Sequence, residues 1–112
     1  MTLRLLCLLP LAALPVHAGA DPASDARAAL LSGVTEIVAP GAIPGDLAVT
    51  GADAFVVLTA CMGRARLPMV AAARYGKGRA VAVGHEGFFG GQSLQNPGNA
   101  RLAANAARWA SG

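Results

Sequence analysis

Two histidines and two cysteines are all the imidazole and thiol groups in this chain, and their scarcity excludes several kinds of chemistry. His17 and Cys7 fall in an apolar opening stretch, so His85 and Cys61 stand alone in the body of the sequence. A zincin helix needs His-Glu-x-x-His, which puts two imidazoles one turn apart on a metal. Here His85-Glu86-Gly87-Phe88 is followed by Phe89, so a histidine-rich zinc site within one subunit is excluded. No metal and no cofactor is expected. Aromatic residues make up only 4% of the chain and charged residues 13%. Lys77-Gly78-Arg79-Ala80-Val81 begins like an RNA-recognition strand but lacks the aromatics that stack on bases. Nine Lys and Arg, less Arg4, leave eight against six Asp and Glu, a net +2 that is too small to argue for nucleic acid. Gly76-Lys77 is not a phosphate loop either. Ala71 stands where the partner glycine belongs, and Gly78 rather than Ser or Thr follows the lysine.

The opening twenty residues read as a Sec-type leader. Arg4 supplies a positive start, "LLCLLPLAALPV" an apolar run, and Ala18 and Ala20 a small-residue cleavage site before Asp21. The run is short and broken by Pro10 and Pro15, so it does not span a bilayer as a helix. The expectation is a secreted or periplasmic protein, with residues 21–112 forming an α/β module without a membrane span. After cleavage Cys61 has no intrachain partner, so no internal disulfide is expected. A body of this size buries only ~60–65% of its unfolded surface. Its stability then calls for tight packing, a partner, or further chain, and the module is expected to be incomplete.

Periodicity and punctuation give an order of elements. "DPASDARAALLSG" predicts a helix capped by Asp21 or Ser24, with Pro22 in its first turn and Gly33 just past its end. "VTEIVAP" predicts a short strand closed by Pro40, and residues 41–53 mostly turn, with a brief strand at Leu47–Thr50. The apolar, β-branched run at 54–60 predicts a strand buried on both faces. Met69–Ala73 and Ala80–Gly84 flank "RYGKGR" and predict a hairpin, whose many alanines imply a closely packed neighbouring layer, a helix. "GFFGGQSLQNPGN" predicts a glycine-rich loop. The last helix takes Asn96 as cap and Pro97 as first residue, with Leu102, Ala106 and Trp109 as its apolar stripe. The fold class is α/β, a small layered domain with a hairpin or meander sheet flanked by helices.

Two groups of residues carry candidate chemistry. Cys61 ends one strand and His85-Glu86 another, and strand ends are where open α/β sheets gather reactive groups. A thiolate, an imidazole and a carboxylate would suit acyl transfer. "TACMG", however, lacks the first glycine of a nucleophile elbow, and the simpler reading makes Cys61 a small hydrophobe and His85-Glu86 hydrogen-bonding partners of loop backbone. Arg74, Lys77 and Arg79, within an acid-free basic run, are candidate ligand-binding residues for a phosphate or sulfated glycan. Phe88, Phe89 and Trp109 read as core.

The strand–turn–strand "PMVAAARYGKGRAVAVGHEGFF" followed by "NARLAANAARWASG" resembles the last part of glutamine-amidotransferase-like α/β domains. More closely, it resembles the N-terminal domain of the TRP channel-associated factor family and its exported bacterial relatives, over Leu31 to Gly112 and chiefly through Ala71–Phe89 and Asn99–Trp109. The resemblance implies part of a class I glutamine amidotransferase-like, flavodoxin-like fold that is generally non-catalytic. A metallopeptidase region with His-Glu-x-x-His belongs to the full family and has no counterpart in these residues. Cys61 departs from the amidotransferase nucleophile pattern, and no proline separates His85 from Glu86. The function expected is a non-catalytic binding or scaffold module, with a further domain or subunit or a cell-envelope glycan as partner. The alternative is a Cys/His hydrolase or amidotransferase acting on peptide or cell-wall amides.

Overall fold

A computed structural model describes residues 2–4, 21–40, 45 and 47–112 of the chain. Strand β1 (Thr2–Arg4) pairs antiparallel with β2 (Val38–Pro40), and helix α1 (Pro22–Leu31) lies between them in sequence. Three longer strands, β3 (Ala54–Met62), β4 (Ala65–Tyr75) and β5 (Gly78–Val83), form an antiparallel sheet in the order β3-β4-β5. Two short 3-10 turns, Glu86–Phe89 and Gly91–Gln95, lead into helix α2 (Pro97–Ala110). The leader cleavage site at Ala18 and Ala20 and the turn placed at 41–44 lie outside the described residues.

Both hairpins turn on two residues. Gly76 at φ 57° and Gly63 at φ 62° each take the first central position, as a type II′ turn requires, and only a residue without Cβ sits there without strain. The β4–β5 hairpin follows the sequence expectation. The β3–β4 hairpin was not anticipated, because Pro68 interrupts the pattern of β4. Register explains its tolerance: Val56 faces Ala71, Leu58 faces Val70 and Thr59 faces Pro68, so Val57 and Met69 bulge on opposite strands. Both bulged residues are buried.

α1 and α2 cover one face of the sheet. Leu30, Met69, Val70 and Leu102 are each no more than 2% exposed and, with Val57, Phe88 and Trp109, form one core. Phe55, Val81 and Val83 pack against its edge. The strand at 54–60 is therefore half-buried, covered by helices on one face alone, which corrects the expectation of burial on both. Leu47–Thr50 runs over the opposite face without joining a ladder, so the brief strand expected there is also corrected.

Asparagines hold the helices in place. The Asn96 side chain accepts from the N–H groups of Gly98 and Asn99, capping α2 as expected, and Asp21 accepts from Ala23 N–H at the start of α1. Asn99, fully buried, treats Val38 as a strand would: its Oδ1 accepts from Val38 N–H at 2.8 Å and its Nδ2 donates to Val38 C=O at 2.9 Å. Nδ2 also donates to Phe88 C=O at 2.9 Å, tying the first 3-10 turn to the same knot. Asn105 donates to the carbonyls of Leu30 and Ser32, which the end of α1 would otherwise leave unpaired.

Candidate interaction surface

β3 and β5 run parallel on either side of β4, so Cys61, near the end of β3, and His85, just past the end of β5, fall toward the same end of the sheet with β4 between them. Cys61 is disulfide-bonded, which corrects the expectation that no disulfide forms. A sulfur bound to sulfur is not a thiolate and cannot attack a carbonyl.

His85 has a structural job. Its backbone is extended, at φ −155° and ψ 129°, and its Nδ1 accepts from Gly87 N–H at 2.8 Å, capping the 3-10 turn. The neutral ring therefore carries its proton on Nε2. Glu86 Oε2 lies 3.8 Å from the same Nδ1, but that lone pair is already used and the carboxylate is 94% exposed. A relay needs a proton between nitrogen and carboxylate, and this arrangement puts two acceptors side by side. The ring stands edge-to-face on Phe88, with centroids 6.4 Å apart. In the unreduced protein an electrophilic thiol reagent should leave Cys61 unlabelled, with or without His85→Ala. Fast labelling lost in His85→Ala would restore the thiolate reading, and peptide-mapping mass spectrometry reads the result.

Of the basic candidates, Arg74 and Arg79 contact a packed aromatic pair, while Lys77 and Arg79 are exposed. Arg74 and Arg79 face each other across β4 and β5, where two like charges would repel. Both lie over Trp109 instead, with guanidinium carbons 5.8 and 5.3 Å from its ring centre. Arg79 also donates to Trp109 C=O at 3.0 Å, and Arg74 to Pro22 C=O at 3.4 Å. The first bond places a cation on a carbonyl of the last turn of α2, where the helix dipole favours one. Phe55 meets Trp109 edge-to-face at 6.2 Å, and Arg27 stacks on Phe55 while donating to Val56 C=O. Arg74 and Arg79 thus clamp an aromatic pair, leaving Lys77 at the hairpin tip. Among the described residues no cluster of three His, Cys, Asp or Glu side chains could hold a metal ion.

What remains is the sheet face turned away from the helices. Ala54, Ala71, Ala73, Ala80 and Ala82 lie there, and with Leu47–Thr50 they line a shallow groove of about 170 Å³. Ala80 and Ala82 are exposed. The alanines were expected under a helix, and Ala60 and Ala72 do lie in the core that the helices cover, together with the bulkier Phe55, Val81 and Val83, whereas Ala71, Ala73, Ala80 and Ala82 face the other way. Alternation along a strand explains this, since odd and even residues of β5 face opposite sides and the larger set buries more apolar area. Asn99 and Asn105 escaped the sequence reading. Their signal was available, because both share the buried stripe of α2 with Leu102 and Trp109.

The family model described as "TRPM8, N-terminal domain" matches residues 3–112. TRPM8 channel-associated factor 2 of Bos taurus is 42% identical over 84 residues, 74% of this chain and 8% of the relative. The Homo sapiens protein of the same name is 39% identical over 88 residues, 78% of this chain and 9% of the relative. A TRPM8 channel-associated factor homolog of Danio rerio is 34% identical over 102 residues, 90% of this chain and 10% of the relative. The chain spans about a tenth of the length of these relatives. No solved structure matches it, so the amidotransferase-like likeness gains nothing from that comparison. The expected secreted or periplasmic placement is overturned. The relatives are animal proteins named for association with a channel, and the matched domain takes in residues 3–20, which read as a leader from sequence. β1 pairing with β2 agrees with this inclusion. No described helix is long and apolar enough to cross a membrane.

Proposed function

This chain belongs to the N-terminal domain family of the TRPM8 channel-associated factors, and on that premise we propose that it is a non-catalytic protein-binding module whose partner is a TRPM8-type channel. The observation that carries the reading is the alanine face turned away from the helices, where Ala80 and Ala82 are exposed beside the Leu47–Thr50 segment. Its side chains bring a partner's backbone close to the sheet, no charged side chain lines its groove, and the helices already occupy the other face. Small apolar residues on a flat, accessible face suit an apolar helix of the channel. The capping role of His85 and the oxidised state of Cys61 support a binding role over acyl transfer. The wider architecture we propose is an amidotransferase-like α/β domain, of which this meander and its helices form one edge.

The test is binding of the chain to purified TRPM8 channel in detergent. Ala80→Asp with Ala82→Asp places two carboxylates on the groove while leaving the buried face untouched. The double variant should melt within a few degrees of the parent and lose at least tenfold in channel affinity. Equal binding by parent and double variant, or no binding by the parent, overturns the proposal.

A further inference from the structure

β5 has a free side. Gly84 N–H donates to Met69 C=O on β4, and the two-residue turn closes Tyr75 against Gly78. Arg74 N–H points the other way, to Asp53 C=O. Antiparallel alternation then directs the N–H and C=O groups of Gly78, Ala80 and Ala82 toward β4, and those of Arg79, Val81 and Val83 outward. Among the described residues no hydrogen bond reaches these six outward backbone groups. A strand edge in this state is a template for pairing.

The hand of the fold says which strand fits. Arg79 lies on Trp109 of α2, and Val81 and Val83 pack on the same core, so these three side chains face the helix layer. Viewed from that layer with β5 pointing up, an L-residue whose side chain faces the viewer projects its N–H and C=O to the right. The free edge is on the right and β4 on the left. α2 then travels back along β5: Asn99 near its start bonds Phe88 just past β5, and Trp109 near its end receives Arg79 at the beginning of β5. The lengths agree, about 21 Å for the 14 residues of α2 and about 20 Å for the 6 of β5. A strand–helix–strand crossover is right-handed in ~98% of cases, and from this view it moves to the right. The position a strand would take after α2 is the unpaired edge of β5.

We propose that this edge is a strand-addition site taking a parallel strand, supplied by the stretch that follows the counterpart of α2 in the longer channel-associated relatives. The occupant is argued from the crossover geometry and from relatives about ten times as long as this chain. This goes beyond the binding reading and does not rest on it, because it concerns the backbone edge of β5 and not the alanine groove. Its test makes no use of a channel, so either reading fails without the other.

The measurement is residue-resolved amide hydrogen exchange on the full chain, alone and with a C-terminal tail of roughly a dozen residues, copied from the segment of the cattle protein that follows its counterpart of α2. In the chain alone the amides of Arg79, Val81 and Val83 should exchange fast, and those of Ala80 and Ala82 slowly. The tail should slow Arg79, Val81 and Val83 at least tenfold, and a tail carrying two prolines should not. No change at these three amides overturns the proposal, as does equal protection by the proline tail. Protection that rises with concentration in the untailed chain assigns the edge to a second copy and overturns it too.

Discussion

Asn99→Asp should leave the chain largely unfolded at neutral pH and let it recover as the solution is acidified. The substitution keeps the shape of the side chain and replaces its donating nitrogen with an oxygen. At a site with no exposure, that oxygen would confront the carbonyls of Val38 and Phe88, both of which receive hydrogen bonds from Asn99 Nδ2. Two acceptors lose their donor, and a buried carboxylate without a cation destabilises by about 3–5 kcal/mol. That is a large share of the stability of a small domain. The pH dependence has a definite sign. Burial against carbonyl oxygens raises the folded-state pKa of the introduced carboxyl above its unfolded value near 4, so the folded state binds more protons and stability falls as pH rises. Below about pH 4 the protonated group donates one of the two lost bonds, and the penalty shrinks. Chemical denaturation at pH 3.5 and pH 7 checks this. A penalty independent of pH, or smaller than about 1 kcal/mol, would show that the knot around Val38 contributes little.

Gly98→Ala sets two physical rules against each other. Gly98 lies in the first turn of α2, where helix propensity alone favours alanine by about 1 kcal/mol. A methyl group there would collide with the main-chain carbonyl of Glu36, and backbone cannot swing aside as a long side chain can. Displacing it would pull α2 from the segment that Asn99 binds one residue later. The packing term wins: the variant should be destabilised by about 3 kcal/mol, a fall in melting temperature on the order of 10–20 °C. Calorimetric or fluorescence melting of parent and variant decides it. A variant as stable as the parent would mean that the loop before β2 yields freely.

Both effects converge on the region where β2, the first 3-10 turn and the start of α2 meet. None of these contacts is local. Asn99 reaches Val38 across 61 positions of sequence, and Asn105 reaches Leu30 across 75. A window of sequence shows an asparagine in a helix as a weak helix former. It does not show which unpaired carbonyls lie opposite, and so Asn99 and Asn105 were legible only as members of an apolar stripe. The arginines make the same point on the site. Arg74 and Arg79 read as a basic patch because charge counts do not reveal that Trp109, thirty positions beyond Arg79, comes back to lie beneath them.

The amino-acid sequence by itself determined whatever depends on neighbours a few residues away. Asp21-Pro22 and Asn96-Pro97 start the two helices, Gly76-Lys77 turns the last hairpin, and Leu102, Ala106 and Trp109 align one buried stripe, because caps, positive φ and a 3.6-residue period are local physics. Tertiary structure decided the rest. It chose which sheet face the helices cover, took Cys61 into a disulfide and His85 into a cap, and among the described residues left Ala80 and Ala82 exposed and the outward backbone groups of β5 unpaired. The reason is that alternation assigns side chains to two faces without saying which will be buried. Only the joint packing of β3, β5, α1 and α2 puts the larger side chains inside.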